Sequence, residues 1–398
     1  MARIAFVVQR YGEEVNGGAE LLCRMFAERM ARHAEVEVLT TCAIDYVTWK
    51  NEYSPGEDCV NGIHVRRFPV DSPRVRLEFD RYSSWIFSNP HTREDELRWV
   101  DLQGPRVSSL LKYLQEHRRD YDCFVFFTYL YQTTCLGLPL VQDRALLVPT
   151  AHDEPPIYLG VYDEVFRGAR RLMVCTQEER EFILRRFCLE EHAAEVIGVG
   201  IDGPAATEPG EFLRTLSPQL GDSRVLTYIG RIDESKGCGI MFEHFLRYVA
   251  ERSAPNVKLL VIGKPVMPVP THPCIVHAGF VSDAAKAGAM EATRVLLMPS
   301  PYESLSLVLL EAWAASKPVL VNGDCEVLRG QCRRSNGGLW YRSYEEFAEC
   351  LDRMLDDDDL CTALGSQGRA HVLEHYTWER VESAFMSNVM SVCGRGNG

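Results

Sequence analysis

The sequence contains no long hydrophobic run. No segment stays apolar for the ~18 residues that a membrane-spanning helix requires, so we expect no part of the chain to cross a bilayer. The opening residues Met1–Arg10 hold an apolar run of about six residues and no small-residue cleavage site. This start predicts a buried first strand in preference to a signal peptide.

Paired cysteine motifs are also missing. The 14 cysteines are scattered from Cys23 to Cys393, and no two of them have the C-x-x-C spacing that zinc sites and thioredoxin-like sites use. We therefore expect the cysteines to be reduced and mostly buried. That usage is typical of a cytoplasmic protein.

An excess of positive charge is absent as well. Lys and Arg total 43 against 56 Asp and Glu, which gives a formal net charge of -13 at pH 7. Because nucleic-acid phosphates bind to positive surfaces, this balance argues against nucleic-acid partners. Arginines cluster at Arg118–Arg119 and between Arg167 and Arg186. Solvated helix faces are the favoured interpretation, and contact with an acceptor or with anionic lipid at the inner face of a membrane stays open as the alternative.

What the sequence does contain is an alternation of short aliphatic runs with longer amphipathic stretches, the pattern of βα units. The 398 residues are enough for two such domains. No repeat of 20–50 residues is visible, which excludes solenoids. The strand candidates are Arg3–Gln9, Val36–Thr41, Ile63–Phe68, Cys123–Thr128, Leu146–Thr150, Leu172–Thr176 and Glu195–Gly198, then Val225–Gly230, Val257–Gly263, Cys274–Gly279, Arg294–Pro299 and Pro318–Asn322. Two helix candidates are Ala19–Arg32 and Gly104–Glu116.

A segment rich in glycine and proline, Gly198–Pro209, is the best candidate for a linker. It predicts an α/β protein with a first doubly wound domain over residues 1–203, a second over 204–375 and a C-terminal helix and tail over 376–398. The four aspartates Asp356–Asp359 lie between two helical patterns and are expected to cap a helix N-terminus.

The strongest local motif begins at Ser300, follows a predicted strand and opens an apolar helical run. It places Glu303 and Glu311 at the carboxyl end of a parallel strand, where ligands bind in open α/β sheets. If the whole stretch were helical, eight residues would separate these carboxylates by roughly 12 Å. That exceeds the ~5–9.5 Å between paired glycosidase carboxylates, so the two glutamates are expected to contact different parts of one long ligand. A loop acid and an exposed helix residue are the alternative.

A second motif ends the predicted strand Val225–Gly230 and carries Arg231 and Lys236, two cations five residues apart. Arginine binds phosphate bidentately and lysine adds a point charge. The pair can offset the charge of a departing diphosphate. Taken alone, surface cations in a turn explain the motif equally well.

Together these residues resemble glycosyltransferase family 4, and the resemblance is densest from Val225 to Leu339. Glu303 and Glu311 match the E-x7-E signature of that family, and Arg231 and Lys236 match its strand-end cations. Gly279–Asp283 matches the loop that precedes the helix leading to the signature. The resemblance implies a GT-B fold, in which two Rossmann-like domains face a central cleft.

The resemblance also implies roles for single residues. Glu303 would contact the transferred sugar, Glu311 would accept hydrogen bonds from the ribose, and Arg231 and Lys236 would hold the diphosphate. The donor would further be approached by the backbone of four residues, Ser304, Leu305, Ser306 and Leu307. The family commonly has glycines where this chain has Ser304 and Ser306, and this departure bears on which sugar the donor carries.

In the first domain, Gly17 and Gly18 resemble the glycine-rich loop of the family, where missing side chains permit close backbone approach to a ligand. A helix-entry turn explains them as well. His152 follows a predicted strand and resembles the first-domain histidine that family members present to the donor sugar. Trp378 and Phe385 resemble packing residues of the last family helix, which crosses back to the first domain.

The expected activity is a retaining, hexosyltransferase-like reaction. The donor would be a nucleotide-diphosphate sugar bound mainly to the second domain, and the acceptor would be a glycan, a lipid-linked molecule or a small molecule bound mainly to the first. The resemblance implies no metal and no cofactor, a cytoplasmic location and a role in polysaccharide biosynthesis. An epimerase or a glycan phosphorylase of similar fold and a non-catalytic nucleotide-sugar-binding protein are the alternatives.

Overall fold

This structure is a computed structural model that describes residues 1–15, 17–202, 218 and 220–393. The chain divides into two compact units: unit 1 comprises Met1–Val199 and Val381–Gly398, and unit 2 comprises Gly200–Arg380. The domain boundary expected near residue 203 lies outside the described residues, together with most of the predicted linker.

Unit 1 is built on an eight-stranded sheet with the order β3-β4-β2-β1-β5-β6-β7-β8. Every pair of neighbours is parallel except β3 and β4, which are antiparallel. The strands are β1 (Arg3–Val7), β2 (Glu35–Thr41), β3 (Gly56–Val60), β4 (Ile63–Phe68), β5 (Cys123–Phe127), β6 (Ala145–Val148), β7 (Arg171–Val174) and β8 (Ala194–Val196).

Helices connect these strands and cover the sheet. They are α1 (Gly18–Met30), α2 (Arg76–Ile86), α3 (Arg93–Gln103), α4 (Ser108–Glu116), α5 (Gln132–Cys135), α6 (Val161–Gly168) and α7 (Gln177–Phe187), with 3-10 turns at Leu138–Arg144, Pro155–Tyr158 and Glu191–Ala193. The central strands β1 and β5 are almost wholly buried. Their continuous apolar runs are what a parallel sheet covered on both faces requires.

Unit 2 contains a six-stranded, fully parallel sheet with the order β11-β10-β9-β12-β13-β14. Counted within the unit, this is the 3-2-1-4-5-6 order of a Rossmann fold. The strands are β9 (Arg224–Ile229), β10 (Val257–Ile262), β11 (Ile275–Gly279), β12 (Thr293–Met298), β13 (Val319–Asn322) and β14 (Gly338–Tyr341). The helices are α8 (Cys238–Arg252), α9 (Asp283–Ala292), α10 (Leu307–Ala314), α11 (Glu326–Ser335), α12 (Tyr344–Asp356) and α13 (Asp358–His375), with a 3-10 turn at Glu234–Lys236.

The last described helix, α14 (Trp378–Cys393), spans the division between the units, which falls after Arg380. Within unit 1, the fully buried ring of Phe385 stacks on Phe26 at a centroid distance of 4.9 Å and tilts against Phe6 at 5.7 Å. Trp378 is buried within unit 2. Both aromatic residues are packing residues, as the sequence predicts.

The two-domain α/β expectation is confirmed, and its errors are local. The strands β3 and β14 were not predicted. Strand β3 has the sequence GEDCV and is exposed along most of its length, so it lacks the apolar run that identifies a buried strand. The helix predicted from Gly104 begins at Ser108, because Gly104 adopts a positive φ of 68° as the C-cap of α3.

Three smaller expectations concern caps, cysteines and membrane spans. Asp357 accepts a hydrogen bond from the Leu360 amide at 2.8 Å and caps α13, as predicted for the acidic run. All 14 cysteines lie in the described ranges as free thiols, and ten are buried. Across residues 1–15, 17–202 and 220–393, no helix has both the length and the apolar character needed to span a bilayer.

Candidate active site

The unit 2 site lies at the point where the order of the sheet reverses. Strands β9 and β12 are parallel neighbours, and the strands that follow each of them continue in opposite directions across the sheet. The turns at the carboxyl ends of two such strands leave a crevice in which open α/β sheets bind ligands. Arg231 and Lys236 follow β9, and Glu303 follows β12.

The turn after β9 is held by its own side chains. The Tyr228 hydroxyl donates to the Arg231 carbonyl at 2.7 Å, and the Asp233 carboxylate accepts from the Ser235 amide at 2.9 Å. Asp233 also pairs with the Arg231 guanidinium at 3.1 Å. These contacts hold the backbone between Arg231 and Lys236, the two predicted phosphate-binding cations, in one conformation.

Gly237 brings the two turns together. It adopts a φ of 73°, and a Cβ atom built on it would lie 2.3 Å from the Pro299 carbonyl oxygen of the turn after β12. Only glycine meets both requirements without strain. Beside it, the Lys236 ammonium contacts the Glu303 carboxylate at 2.7 Å between Nζ and Oε1, and only 13% of the Glu303 side chain is exposed. The structure therefore assembles two residues that are 67 positions apart in the sequence.

Glu303 lies in the turn and Glu311 lies in helix α10, which begins only at Leu307. The condition for the helical separation is therefore not met, because the first four residues of the signature, 303–306, are not helical. Ser306 is the N-cap of this helix, and its hydroxyl accepts a hydrogen bond from the Leu309 amide at 3.2 Å. The serine that replaces a family glycine thus has a structural use here.

Glu311 makes an asymmetric contact. Its Oε1 accepts from the Lys286 ammonium at 2.8 Å, whereas its Oε2 is buried and receives no hydrogen bond from the described residues. Burial lowers the pKa of Lys286, yet the carboxylates of Glu311 and Asp283 together outweigh burial and the pKa is raised. A buried acceptor without a donor is costly, so Oε2 marks a position where a ligand hydroxyl would be favoured. Sequence reasoning stopped at the Gly279–Asp283 loop and missed Lys286, one helical turn further on.

In unit 1, Gly17 is required for space. A Cβ atom there would lie 2.1 Å from Oε2 of Glu20. Glu20 is buried and accepts from the side-chain amide Nε2 of Gln9 at 2.8 Å and from Nε of Arg10 at 2.9 Å. These bonds join the segment after β1 to α1. A Cβ on Gly18 would meet nothing within 4 Å, so only Gly18 presents open backbone. Close packing against Glu20 explains a glycine at position 17, and contact of Gly17 with the donor stays a prediction.

His152 follows β6 at the carboxyl edge of the unit 1 sheet. Its Nε2 lies 3.3 Å from a carboxylate oxygen of Glu154, and 28% of its side chain is exposed. The other oxygen of Glu154 accepts from the Tyr129 hydroxyl at 2.7 Å. Asp153, the other acid of this turn, accepts from the Tyr158 hydroxyl at 2.7 Å. The turn acids therefore have local partners, and the imidazole remains partly accessible.

The residues of the unit 2 site lie in a part of the chain that matches a known protein family. Residues 223–357, which include Arg231, Lys236, Lys286, Glu303 and Glu311, match the family model described as Glycosyl transferases group 1. This part of the chain is similar to the group 1 glycosyltransferases.

Relatives and solved structures extend the likeness to the whole chain. An uncharacterized glycosyltransferase of Methanocaldococcus jannaschii is 23% identical over 412 aligned positions, covering 95% of both chains. The D-inositol 3-phosphate glycosyltransferase of Gordonia bronchialis is 23% identical over 279 positions, which cover 63% of this chain and 60% of that protein. The crystal structure of HepE from Anabaena in complex with UDP and glucose covers 98% of this chain and 100% of its own at 14% identity, with a TM-score of 0.71. The predicted family resemblance and the GT-B fold class are confirmed.

Within the part of the chain that the structure describes, no cluster of three or more His, Cys, Asp or Glu side chains has an arrangement that could hold a metal ion. Whether the reaction needs a metal is a separate matter, and metal independence stays a prediction.

Proposed function

We propose that this protein is a group 1 glycosyltransferase, and that it is a retaining, metal-independent enzyme. It transfers a sugar from a nucleotide-diphosphate donor to a glycan, a lipid-linked molecule or a small-molecule acceptor. The observation that carries the proposal is the contact of Lys236 with Glu303 at 2.7 Å, formed by the turns that follow the neighbouring strands β9 and β12. A cation and a carboxylate are thereby available side by side at the ligand edge of a Rossmann-type sheet.

The cations are assigned to the diphosphate. The Lys236 ammonium has three N–H donors and can keep its bond to Glu303 while it donates to a phosphate oxygen. Arg231 lies at the start of the same turn and adds a guanidinium, whose planar set of donors suits phosphate. Both charges oppose the negative charge that grows on the diphosphate as its bond to the sugar breaks.

The two signature glutamates are assigned to opposite parts of the donor. Glu311 binds the ribose, because its buried Oε2 is an acceptor without a protein donor and the ribose offers hydroxyl donors. Glu303 contacts the transferred sugar, because its carboxylate lies beside the proposed phosphate-binding ammonium. The backbone of Ser304–Leu307 approaches the donor between these two glutamates, and Gly17, Gly18 and His152 contribute from unit 1.

In the proposed reaction, the bond between the anomeric carbon and the phosphate oxygen breaks. The acceptor oxygen then bonds to the same face of that carbon. The acceptor hydroxyl loses its proton to the departing phosphate oxygen, so the products are the glycosylated acceptor and a nucleoside diphosphate. No side chain needs to serve as nucleophile. We further propose a cytoplasmic reaction that serves polysaccharide or glycoconjugate assembly.

A thermal-shift screen of nucleotide sugars tests the donor assignment, since a ligand that binds only the native state stabilises it. UDP-glucose is tested first, because UDP and glucose are bound in the similar Anabaena structure. UDP-N-acetylglucosamine and GDP-mannose complete the set. At about 100 times Kd, a binding donor adds about 2.7 kcal/mol. Failure of every nucleotide sugar to raise the unfolding temperature would contradict the proposal.

Product analysis with the donor that binds then identifies the reaction. Release of nucleoside diphosphate together with a glycosylated acceptor supports transfer, and retention is read from the anomeric configuration of the product. Conversion of the donor sugar without an acceptor would indicate an epimerase. A strict need for inorganic phosphate would indicate a phosphorylase.

A further inference from the structure

A buried carboxylate in unit 1 lies outside the proposed donor site and has an unusual pair of contacts. Glu179 is in the first turn of α7 and is 1% exposed. Its Oε2 accepts from the Cys175 amide at 2.7 Å, just before the helix. Its Oε1 accepts from the Ala151 amide at 2.6 Å, 28 residues earlier in the chain.

The first contact resembles ordinary helix capping and the second does not. The hydroxyl of Thr176 is already the N-cap of α7 and accepts from the Glu179 amide at 3.2 Å. A glutamate at the third helical position that reaches back toward the preceding backbone completes such a cap with one oxygen. The other oxygen of Glu179 instead fixes the turn after β6, and the amide that it binds belongs to the residue immediately before His152.

The turn that Glu179 fixes holds a strained backbone. Thr150 has a φ of 47°, in the left-handed region that is unfavourable for a β-branched residue. Such conformations persist only where the surroundings over-determine them. The hydrogen bond from the Ala151 amide to the buried Glu179 carboxyl is one such constraint.

Burial disfavours the ionised form of Glu179, and nearby groups partly offset this effect. The pKa of Glu179 is raised to about 7, because burial raises it by more than the amides of Cys175, Ala151 and Thr176 and the neighbouring His152 lower it. The Cys175 thiol is the other titratable neighbour, and burial raises its pKa well above the usual range. Keeping a carboxyl here is costly, which favours a use beyond packing.

We infer that Glu179 is a positioning residue: through the Ala151 amide it holds the turn after β6 so that His152 faces the substrate. The inference rests on the proposed role of His152 in sugar transfer. Glu179 itself touches no substrate. Its effect on the reaction is expected to pass through the histidine.

The variant Glu179→Gln tests the contact, because glutamine keeps the shape and loses the charge and one of the two acceptor oxygens. Hydrogen–deuterium exchange needs no substrate, and we expect faster exchange in a peptide covering residues 149–154.

Turnover is measured as release of UDP from UDP-glucose, or as release of the nucleoside diphosphate from the donor found by thermal shift. We expect the kcat of Glu179→Gln to fall by about tenfold or more. Misplacement of a reacting group costs up to about 10²-fold. Donor affinity should stay within about twofold, because the contacts proposed for the ribose and the diphosphate are in unit 2. Glu179→Asp should recover part of kcat because it restores a carboxyl group.

Glu96→Gln is the matched control. Glu96 is also buried in unit 1, and its carboxylate accepts from two distant backbone amides, those of Gly160 and Val161, each at 2.8 Å. We expect this control to speed exchange near residue 160 and to leave kcat unchanged. Equal losses of kcat in the two variants would reduce Glu179 to a general stability residue and overturn the inference.

His152→Ala and the double variant separate the possible failures. If Glu179 acts through His152, the double variant is no slower than His152→Ala alone. The positioning inference is rejected if His152→Ala is slow while Glu179→Gln has a normal kcat. It is also rejected if Glu179→Gln leaves exchange at residues 149–154 unchanged. Both outcomes leave the proposed function intact. A His152→Ala enzyme with full kcat rejects the proposed role of His152 and the inference together.

Discussion

At the scale of single residues, the proposed chemistry depends on how a few charges are shared. Lys236 contacts Glu303, and Lys286 contacts Glu311. Each carboxylate of the signature therefore has a lysine from a different element as its partner. The arrangement limits the cost of partly burying the carboxylates and fixes the oxygens that remain available to a ligand.

Replacement of the cations tests the diphosphate site. We expect Arg231→Ala and Lys236→Ala each to weaken donor binding and transfer by about 10- to 150-fold, since hydrogen bonds to charged groups contribute roughly 1.5–3 kcal/mol. Lys258→Ala is the control, because the Lys258 ammonium donates to the Pro273 carbonyl on the same unit. Titration calorimetry with the donor and initial-rate kinetics provide the measurement. If both variants keep the donor affinity and turnover of the unmodified enzyme, the assignment of Arg231 and Lys236 to the diphosphate is wrong.

Replacement of Glu303 and of Glu311 is expected to change different kinetic parameters. Glu303→Gln should mainly lower kcat, because an interaction with the reacting sugar is made chiefly in the transition state. Glu311→Gln should mainly raise KM for the donor, because ribose binding is the same in ground state and transition state. Steady-state kinetics with a donor titration separates the parameters. A folded Glu303→Gln enzyme with normal kcat, or a Glu311→Gln enzyme with normal donor affinity, contradicts the corresponding role.

At the scale of elements, the unit 2 site is made of turns held against each other at the ends of strands. The turn after β9 presses against the turn after β12 at Gly237, and Ser306 caps the helix that carries Glu311. The sequence showed which turns carry the motifs, because strand ends and helix caps are local features. The pairing of the turns depends on strand order, which short-range patterns do not specify.

Gly237→Ala tests this close approach. The new methyl group would lie 2.3 Å from the Pro299 carbonyl oxygen at a φ of 73°, so we expect a loss of about 1–3 kcal/mol in stability together with weaker donor binding. Gly221→Ala is the control, since Gly221 has a φ of 54° and open space around it. Urea unfolding and donor titration are compared for both variants. If Gly237→Ala resembles the control in both measurements, the contact between the turns has no part in donor binding.

At the scale of the whole molecule, the final helix belongs to unit 1 from Val381 onward. Its Phe385 ring is fully buried between aromatic rings of β1 and α1. We expect Phe385→Ala to cost about 3–5 kcal/mol, the usual loss for a buried phenylalanine. Met390→Ala on the same helix is the control, because Met390 is 55% exposed. Urea unfolding should show a large shift for the first variant only, and equal shifts would contradict the packing role.

Metal independence is tested on the whole enzyme. The proposed charge stabilisation comes from Arg231 and Lys236, so we expect full activity after treatment with a chelator. Initial rates are compared before chelation, after it and after addition of Mg²⁺ or Mn²⁺. Loss of activity on chelation with recovery on adding either ion would show that the reaction depends on a metal.

The sequence by itself determined the fold class and the strand cores, because continuous apolar runs predict buried parallel strands wherever they occur. The resemblance to glycosyltransferase family 4 added the prediction that Arg231, Lys236, Glu303 and Glu311 form one site. Only the tertiary structure decided which groups the buried carboxylates contact. Glu311 contacts Lys286, and Glu179 contacts the Ala151 amide. The structure also revealed strand β3, which is mostly exposed and therefore lacks the apolar run that predicts a strand from sequence. Such contacts join positions far apart in the chain, and their geometry follows from sheet order and side-chain packing, which no local pattern specifies.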